Sequence, residues 1–583
     1  MAGRFIIDIN PAAFCQVLPV SDMGEPSFND PAVRVWSHLP VIRIGSTGCI
    51  IGHLFSRKPP RRRVLEFDTE TAHGIGASKG RMLLQEYWGA YVAVVVDPDG
   101  AVSVIRDPSG LLPCYYRTRA DGAVLAGDVA DLVTRGAGAV NLTEIGRLLA
   151  SPDAMGRNTC LSGVSELLAG ECLSSSPAGN TVNAWWSPWH WTCPETSPAF
   201  DHAAARLRKV VSDCVGSWAS CFQSILIGVS GGLDSSIVAC CAQPRAAALH
   251  CVNLVSSGAG GDERRYASAL THALGLRLHE RHFDIGSVDI EQPAAPTHPW
   301  PNAAYFLQAM QATHCAFRDD HPVDAYFSGN GGDNVFCSLR TAAPFVDRFI
   351  SQGSRSGIMN TLRDIGIMTG ADGTTILRQA WDIHRKAGGP PRTLCDMSGL
   401  SPSFFEAMAP QQALHPWLNP PPDALPGKVG HVKQLLRAHR SIELYPRQAY
   451  LTHIAPLMSQ PVVELCLRIP TWHWVHGGVN RAVARAAFGG IVPDELLRRT
   501  SKGGPSGFMR EIYLANRSKA EDLLRGGLLA RAGMLDLSIL SQAQLPTAAG
   551  SQSARRILAI CAAEAWAQWW TSSDGLRADH RMK

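Results

Sequence analysis

At 583 residues the chain exceeds what one ordinary hydrophobic core organises, which points to two or three domains. Its 54 Lys and Arg stand against 50 Asp and Glu, and a net charge of only +4 gives no electrostatic reason to expect nucleic acid. No apolar run approaches the ~18 residues that span a bilayer, and the start MAGRFIIDINPAAF, interrupted by Asp8, lacks a signal-peptide pattern, so a soluble cytoplasmic protein with no membrane partner is expected. The 16 Cys are scattered with no CxxC pair or His-spaced cluster, and Cys240 and Cys241 are adjacent. Neither a cysteine zinc site nor a disulfide framework is indicated, and a reducing compartment suits such a chain.

In chain order, residues 1–190 are rich in short β-type runs separated by turn signals, as in Ala90 to Val96, the turn Asp97 to Gly100, and Val102 to Ile105. The predicted fold class is α/β, with a β-rich layered domain here. The segment 183–200, NAWWSPWHWTCPETSPAF, combines Trp and Pro and reads as a domain exit whose indoles pack against the neighbouring domain. Leu207, Val210, Val211, Cys214, Val215 and Trp218 follow helical spacing. A second domain over 200–570 then alternates strands and helices, with strands at 225–229, 248–255 and ending at Phe327, and a helix at 263–274. That alternation predicts a doubly wound parallel sheet with ligands at the strand C-termini. Pro and Gly cluster between 340 and 430, which predicts long surface excursions, and the remainder to about 570 reads as helical.

Residues 224–239, SILIGVSGGLDSSIVA, place a glycine-rich turn between an apolar strand and a helix start. A helix N-terminus with free N–H groups is a ready anion site. The nucleotide-binding set is Ser230, Gly231, Gly232, Leu233, Asp234, Ser235 and Ser236, with glycines for close backbone approach and hydroxyls for phosphate oxygens. No Lys follows the glycines, so this is not the loop of γ-phosphate-cleaving NTPases. A loop that lacks the Lys and adds an Asp suits cleavage between the α and β phosphates. A second turn, SGNGGDNVF at 328–336, adds Gly329, Gly331 and Gly332 to that set and ends in Asp333. If the two loops lie at neighbouring strand ends, Asp234 and Asp333 share one Mg²⁺; the alternative makes Asp333 a helix N-cap.

SGGLDSS followed by SGxGxD resembles the paired signature of the asparagine synthetase B family, and the first loop resembles the PP-loop of N-type ATP pyrophosphatases. GAYVAV at 89–94, RDPSGLLPCYY at 106–116 and AGDVADL at 126–132 resemble that family's glutamine-amidotransferase domain. RAVARAAFGGIVPDELLRRTS at 481–501 resembles the segment ahead of its catalytic lysine, which places that role on Lys502. The resemblance implies an Ntn-hydrolase-like domain joined to an adenine-nucleotide α-hydrolase-like synthetase domain, with ATP and Mg²⁺ as cofactors. Departures refine it. Ala2 stands where a working glutaminase carries Cys, and the first Cys is Cys15, so an inactive amidotransferase-like domain is expected. Asn330 stands where asparagine synthetases have Glu and β-lactam synthetases Tyr, and Thr452 and His453 fall where β-lactam synthetases place an acid.

Together with GDERRYA at 261–267 and SQPVVE at 459–464, these features resemble the lasso peptide cyclases, the macrolactam synthetases of the family. Such an enzyme adenylates an Asp or Glu side chain of a precursor-derived core peptide and joins it to the peptide's N-terminal amine, releasing AMP and pyrophosphate. The alternatives are an ammonia-dependent asparagine synthetase, a β-lactam synthetase-like amide ligase, and a degenerate scaffold that binds without turnover. The resemblance leaves open a complex with a leader peptidase and a leader-binding protein. Lys502 would stabilise charge on the α-phosphate, the alternative being a solvated surface lysine. His453 is the ionisable residue nearest the family's acid position, set against a purely structural histidine. Glu464 is as readily a packing residue, and Asp262 and Glu263 either hold substrate or ribose or cap the next helix. Folding a peptide before ring closure predicts a cavity larger than an amino acid needs.

Overall fold

The computed structural model describes residues 4–10, 20, 22–59, 61–136, 138–154, 156–193, 199–255, 262–353, 357–389, 395–406, 415–443, 451–499, 506–542 and 548–572. Ala2, Cys15 and Lys502 lie outside them.

Two antiparallel sheets occupy the N-terminal third. The first is six-stranded, with Phe5–Ile9 paired between Ala123–Ala126 and Val33–Ser37. The second is seven-stranded and centred on Gly48–Ser56 and Tyr87–Val96. Alternation along Phe5–Ile9 assigns the two faces: Phe5, Ile7 and Ile9 join one core with Ile50, Val92 and Val94, while Ile6 joins another. That second core contains Ile145, Leu148 and Leu149 from the helix Leu142–Ala150 and Trp566 and Trp570 from the helix Ala548–Thr571. The C-terminal helix thus returns to cover the outer face of the first sheet, and Arg556 Nη1 fastens it by donating to Leu149 O at 2.6 Å. Sheets stacked on each other with helices outside give the expected layered, β-rich domain.

The Trp-rich exit packs as expected. Trp186 and Trp189 are buried, and Trp186 meets Trp417 edge-on at 5.8 Å. Helix α1 (Phe200–Ala219) follows, burying Leu207, Val211, Cys214, Val215 and Trp218. The parallel sheet comprises β1 (Ser224–Gly228), β2 (Ala248–Val255), β3 (Leu278–His282), β4 (Ala325–Phe327) and β5 (Thr452–Ile454), in the order β3-β2-β1-β4-β5. Strand order reverses between β1 and β4, and such a switch point opens a crevice at the strand C-termini. Helices α2 (Leu233–Ala242), α3 (Arg264–Leu274), α4 (Phe306–Asp320), α5 (Pro426–Glu443) and α6 (Gln460–Arg468) surround it.

The excursion after 340 is helical: it contains the helices Ala343–Gln352, Ile358–Thr369 and Gly373–Arg385, with Met359, Ile367 and Trp381 exposed. Val346, Ile365, Ile376 and Ala380 make a small core with Val475, so helical periodicity ahead of the Pro and Gly clusters decides the structure.

Candidate functional site

The two glycine-rich turns meet at the switch point. β1 and β4 pair in parallel, Ile225 against Ala325 and Ile227 against Phe327, so the loops that follow them leave from the same edge. Their glycines serve that contact first. A Cβ on Gly329 would sit 2.5 Å from Ser235 N, and one on Gly332 would sit 2.5 Å from Asp234 Cγ. Gly231, at φ +60, packs on Tyr266 of α3. Gly231 and Gly332 thus let neighbouring protein atoms approach, while Gly232, expected with Gly231 to bring the backbone close to a ligand, lines the cavity beside the loops.

The Asp234 side chain is pressed onto the second loop, and Arg481 is its partner there. Arg481 Nη1 donates to Asp234 Oδ1 at 2.8 Å and Oδ2 at 2.9 Å, and the same nitrogen stands 2.5 Å from Asp333 Oδ1. Two carboxylates from two loops thus converge on one cationic atom. Arg481 is buried and holds φ +54, a left-handed conformation unfavourable for a non-glycine residue. Its segment is braced by Arg485, which donates from Nη2 to Asn480 Oδ1 at 2.9 Å and to Arg499 O at 3.1 Å.

A cavity of about 350 Å³ opens beside these loops. Ser230, Gly232, Asp234, Ser235, Gly329 and Asn330 form its floor, with Asn253 of β2, Tyr326 of β4 and Phe306 of α4 among its walls. The N-terminus of α2 faces it, as an anion site requires. Within the loop, Ser230 Oγ and Ser235 Oγ lie 3.3 Å apart. Ser236 does not line the cavity: it is fully buried and donates to Gly232 O at 2.8 Å. Leu233 is likewise buried in the core and outside the wall, and neither Gly331 nor Asp333 is among the lining residues.

Glu263 lines the cavity and receives Arg499 Nη2 at 2.7 Å, while Arg499 Nη1 donates to Ser230 O at 3.1 Å and its guanidinium lies over Tyr266. Asp262 faces solvent and holds Arg264. Arg499 therefore fixes the first loop three residues before Lys502. His453 of β5 sits 2.7 Å from Ser328 Oγ through Nε2, and Ser328 in turn lines the cavity. Burial pushes the His453 imidazole down to about 3, with His314 adding to the effect. Asn330 Nδ2 donates to Ser441 O at 3.1 Å and its Oδ1 receives Ser441 Oγ at 3.0 Å, closing the cavity towards α5.

The SQPVVE segment has a structural place. Glu464 receives Arg57 Nη1 at 2.7 Å, Trp186 Nε1 at 3.0 Å and Gln460 Nε2 at 2.7 Å, and Ser459 Oγ receives Trp218 Nε1 at 3.0 Å. It ties α6 to the N-terminal layers and does not touch the cavity.

Sequence reasoning missed Arg481 and Arg499 as site residues. Both lie in the segment 481–501, which was read only as a helix and turn before the lysine, and nothing local marks an arginine as the partner of a carboxylate 247 residues away.

The cleft and its paired acidic loops lie at the switch point of the parallel sheet in an α/β protein. Residues 206–367 and 448–568 match the family described as asparagine synthase, so the chain carries an asparagine synthase domain. That match indicates an ATP-dependent amidation ligase. No curated protein matches the chain. Among solved structures it is similar to the glutamine phosphoribosylpyrophosphate amidotransferase from B. subtilis complexed with ADP and GMP, at 11% identity over 50% of this chain and 77% of that one, with a TM-score of 0.19. It is also similar to a structure titled as the allosteric regulatory enzyme of purine biosynthesis, at 14% identity over 50% of this chain and 76% of that one, with a TM-score of 0.20. At such TM-scores neither likeness bears on function. Among the described residues no helix is long and apolar enough to cross a membrane.

Proposed function

We propose that the protein is an AMP-forming macrolactam synthetase of the lasso peptide cyclase type. The observation that carries the nucleotide half of this reading is the convergence of Asp234 and Asp333 on one nitrogen of Arg481. Two carboxylates so close suit a hard divalent cation, and Mg²⁺ held there would neutralise the phosphates. Arg481 marks the same point as one where positive charge is required.

The substrate carboxylate oxygen attacks the α-phosphorus, the bond to the bridging oxygen breaks, and pyrophosphate leaves towards Ser230, Ser235 and the N-terminus of α2. The peptide's N-terminal amine then attacks the acyl carbon; AMP departs with the bonding pair, and the amine gives up a proton. Lys502 has the role of stabilising negative charge on the α-phosphate and the tetrahedral intermediate, a kind of contribution worth about 3 kcal/mol. Arg499, three residues earlier in the sequence, holds the first loop through Ser230 O. An imidazole at about 3 is too weak a base to take the amine's proton efficiently near neutrality, so His453 acts through Ser328 as a positioning residue.

The cyclase specificity rests on Asn330 in place of Glu or Tyr and on the lack of an acid at Thr452 and His453. The 350 Å³ cavity has nucleotide size. Segments 256–261 and 444–450, which adjoin its walls in sequence, lie outside the described residues. Incubation with Mg-ATP and an Asp- or Glu-containing core peptide should yield a product lighter by one water together with AMP. Steady asparagine output from aspartate and ammonium, with no need of peptide, would overturn the cyclase reading in favour of an ammonia-dependent synthetase.

A further inference from the structure

Three imidazoles from three separate elements meet on the parallel sheet away from the nucleotide cavity. His250 lies on β2, His279 on β3, and His321 caps the C-terminus of α4. One ring nitrogen or its equivalent from each lies within 4.8 Å of the others, and among the described residues this is the one such group of His, Cys, Asp and Glu side chains.

The backbone explains the convergence. β2 and β3 pair in parallel with Val252 opposite His279. Residues two apart on a strand share a face, so His250 and His279 are diagonal neighbours on one side of the sheet. α4 lies on that side and delivers His321 with Phe317, on which His321 stacks at 4.3 Å. Packing around Phe317 would by itself satisfy the ring faces, but it gives no reason for three nitrogens to point at one another. The rings are splayed, at 59°, 62° and 80° to one another, as ligands around a common centre are. His321 Nδ1 also lies 3.3 Å from Phe317 O, the kind of backbone contact that fixes an imidazole's tautomer and leaves Nε2 for a metal.

We propose that His250, His279 and His321 form a binding site for one divalent transition metal of the zinc class, with three imidazole ligands and a fourth position open to solvent. Imidazole nitrogen suits Zn²⁺, Ni²⁺ and Cu²⁺ and disfavours Mg²⁺, so this site and the acidic pair do not compete for the same ion. Zinc–nitrogen bonds of about 2.0–2.1 Å place tetrahedral ligands roughly 3.4 Å apart, which modest ring rotations reach from the observed spacing. A metal here clips β3, the edge strand of the sheet, to β2 and to α4. The site does not depend on which amide the enzyme forms.

The test is titration of the metal-free full chain with Zn²⁺ by calorimetry, with Co²⁺ absorption as the reporter of ligand type. The expected result is one high-affinity metal per chain, a Co²⁺ spectrum of tetrahedral nitrogen and oxygen ligation without a thiolate charge-transfer band, and a raised melting temperature. His279→Gln and His321→Gln should each weaken binding on the order of 100-fold, with unchanged circular dichroism and unchanged Mg-ATP affinity, while the exposed His272→Gln binds as the parent does. The proposal is overturned if micromolar Zn²⁺ finds no stoichiometric site, if a His250→Gln/His279→Gln double variant binds with parental affinity, or if cobalt reports thiolate ligation.

Discussion

Replacing Gly332 with Ala tests how tightly the two loops are fitted. Gly332 carries no positive φ, so alanine is conformationally acceptable and the entire effect comes from the new methyl group. That methyl would sit 2.5 Å from Asp234 Cγ and 2.6 Å from Asp234 Cβ. Asp234 cannot yield freely, because Arg481 holds both of its oxygens. Overpacking of this kind costs about 1–3 kcal/mol. If that strain is expressed as loss of the loop arrangement that binds nucleotide, Mg-ATP affinity falls between about fivefold and about 150-fold. The assay is calorimetric or fluorescence titration with Mg-ATP, which needs no peptide substrate. Gly373→Ala supplies the control: nothing lies within 4 Å of its Cβ and it opens the helix Gly373–Arg385, so affinity should be unchanged. Parental Mg-ATP affinity in Gly332→Ala would refute the claim that close loop contact shapes the site.

Asp333→Asn, on the more exposed of the two carboxylates, should weaken Mg²⁺ dependence of nucleotide binding while leaving the fold intact, measured as the shift in Mg²⁺ half-saturation. Arg481→Gln strands buried Asp234 without its cation, so stability should fall by about 3 kcal/mol and be partly restored by Mg²⁺; a loss indifferent to Mg²⁺ would contradict a shared cation point. Glu464→Gln should lower stability by on the order of 2 kcal/mol, the buried-pair figure reduced because Arg57 is partly exposed, with Mg-ATP affinity unchanged. Burial pushes His431 and His453 down to about 3 from the ordinary 6.5. The unfolded chain therefore binds more protons between about pH 6.5 and 3, and stability is lost as pH falls through that window. His453→Gln should flatten the decline in melting temperature, and a decline identical to the parent's would contradict the assignment.

Much of the site was legible because its chemistry is local. An apolar strand, a Gly-Gly turn with hydroxyls and a helix start are consecutive in 224–239, and each has a short-range cause. The second loop was legible in the same way, although β4 itself spans only Ala325–Phe327 and its pairing with β1 is a long-range fact. The arginines were not legible, since Arg481 and Arg499 act across the fold and sit in a segment with no ligand signature. The role of Glu464 was hidden for a similar reason: its three partners Arg57, Trp186 and Gln460 come from both halves of the chain. The helices between 343 and 385 were obscured by the Pro and Gly clusters beyond them, where composition outweighed periodicity in the reading.

The most direct test of the central claim follows the oxygen. A core peptide whose side-chain carboxylate carries ¹⁸O is turned over with Mg-ATP, and the nucleotide product is analysed by mass spectrometry. Attack of the carboxylate on the α-phosphorus predicts AMP bearing one heavy oxygen and pyrophosphate bearing none. ADP with labelled orthophosphate, or AMP without label, would contradict it.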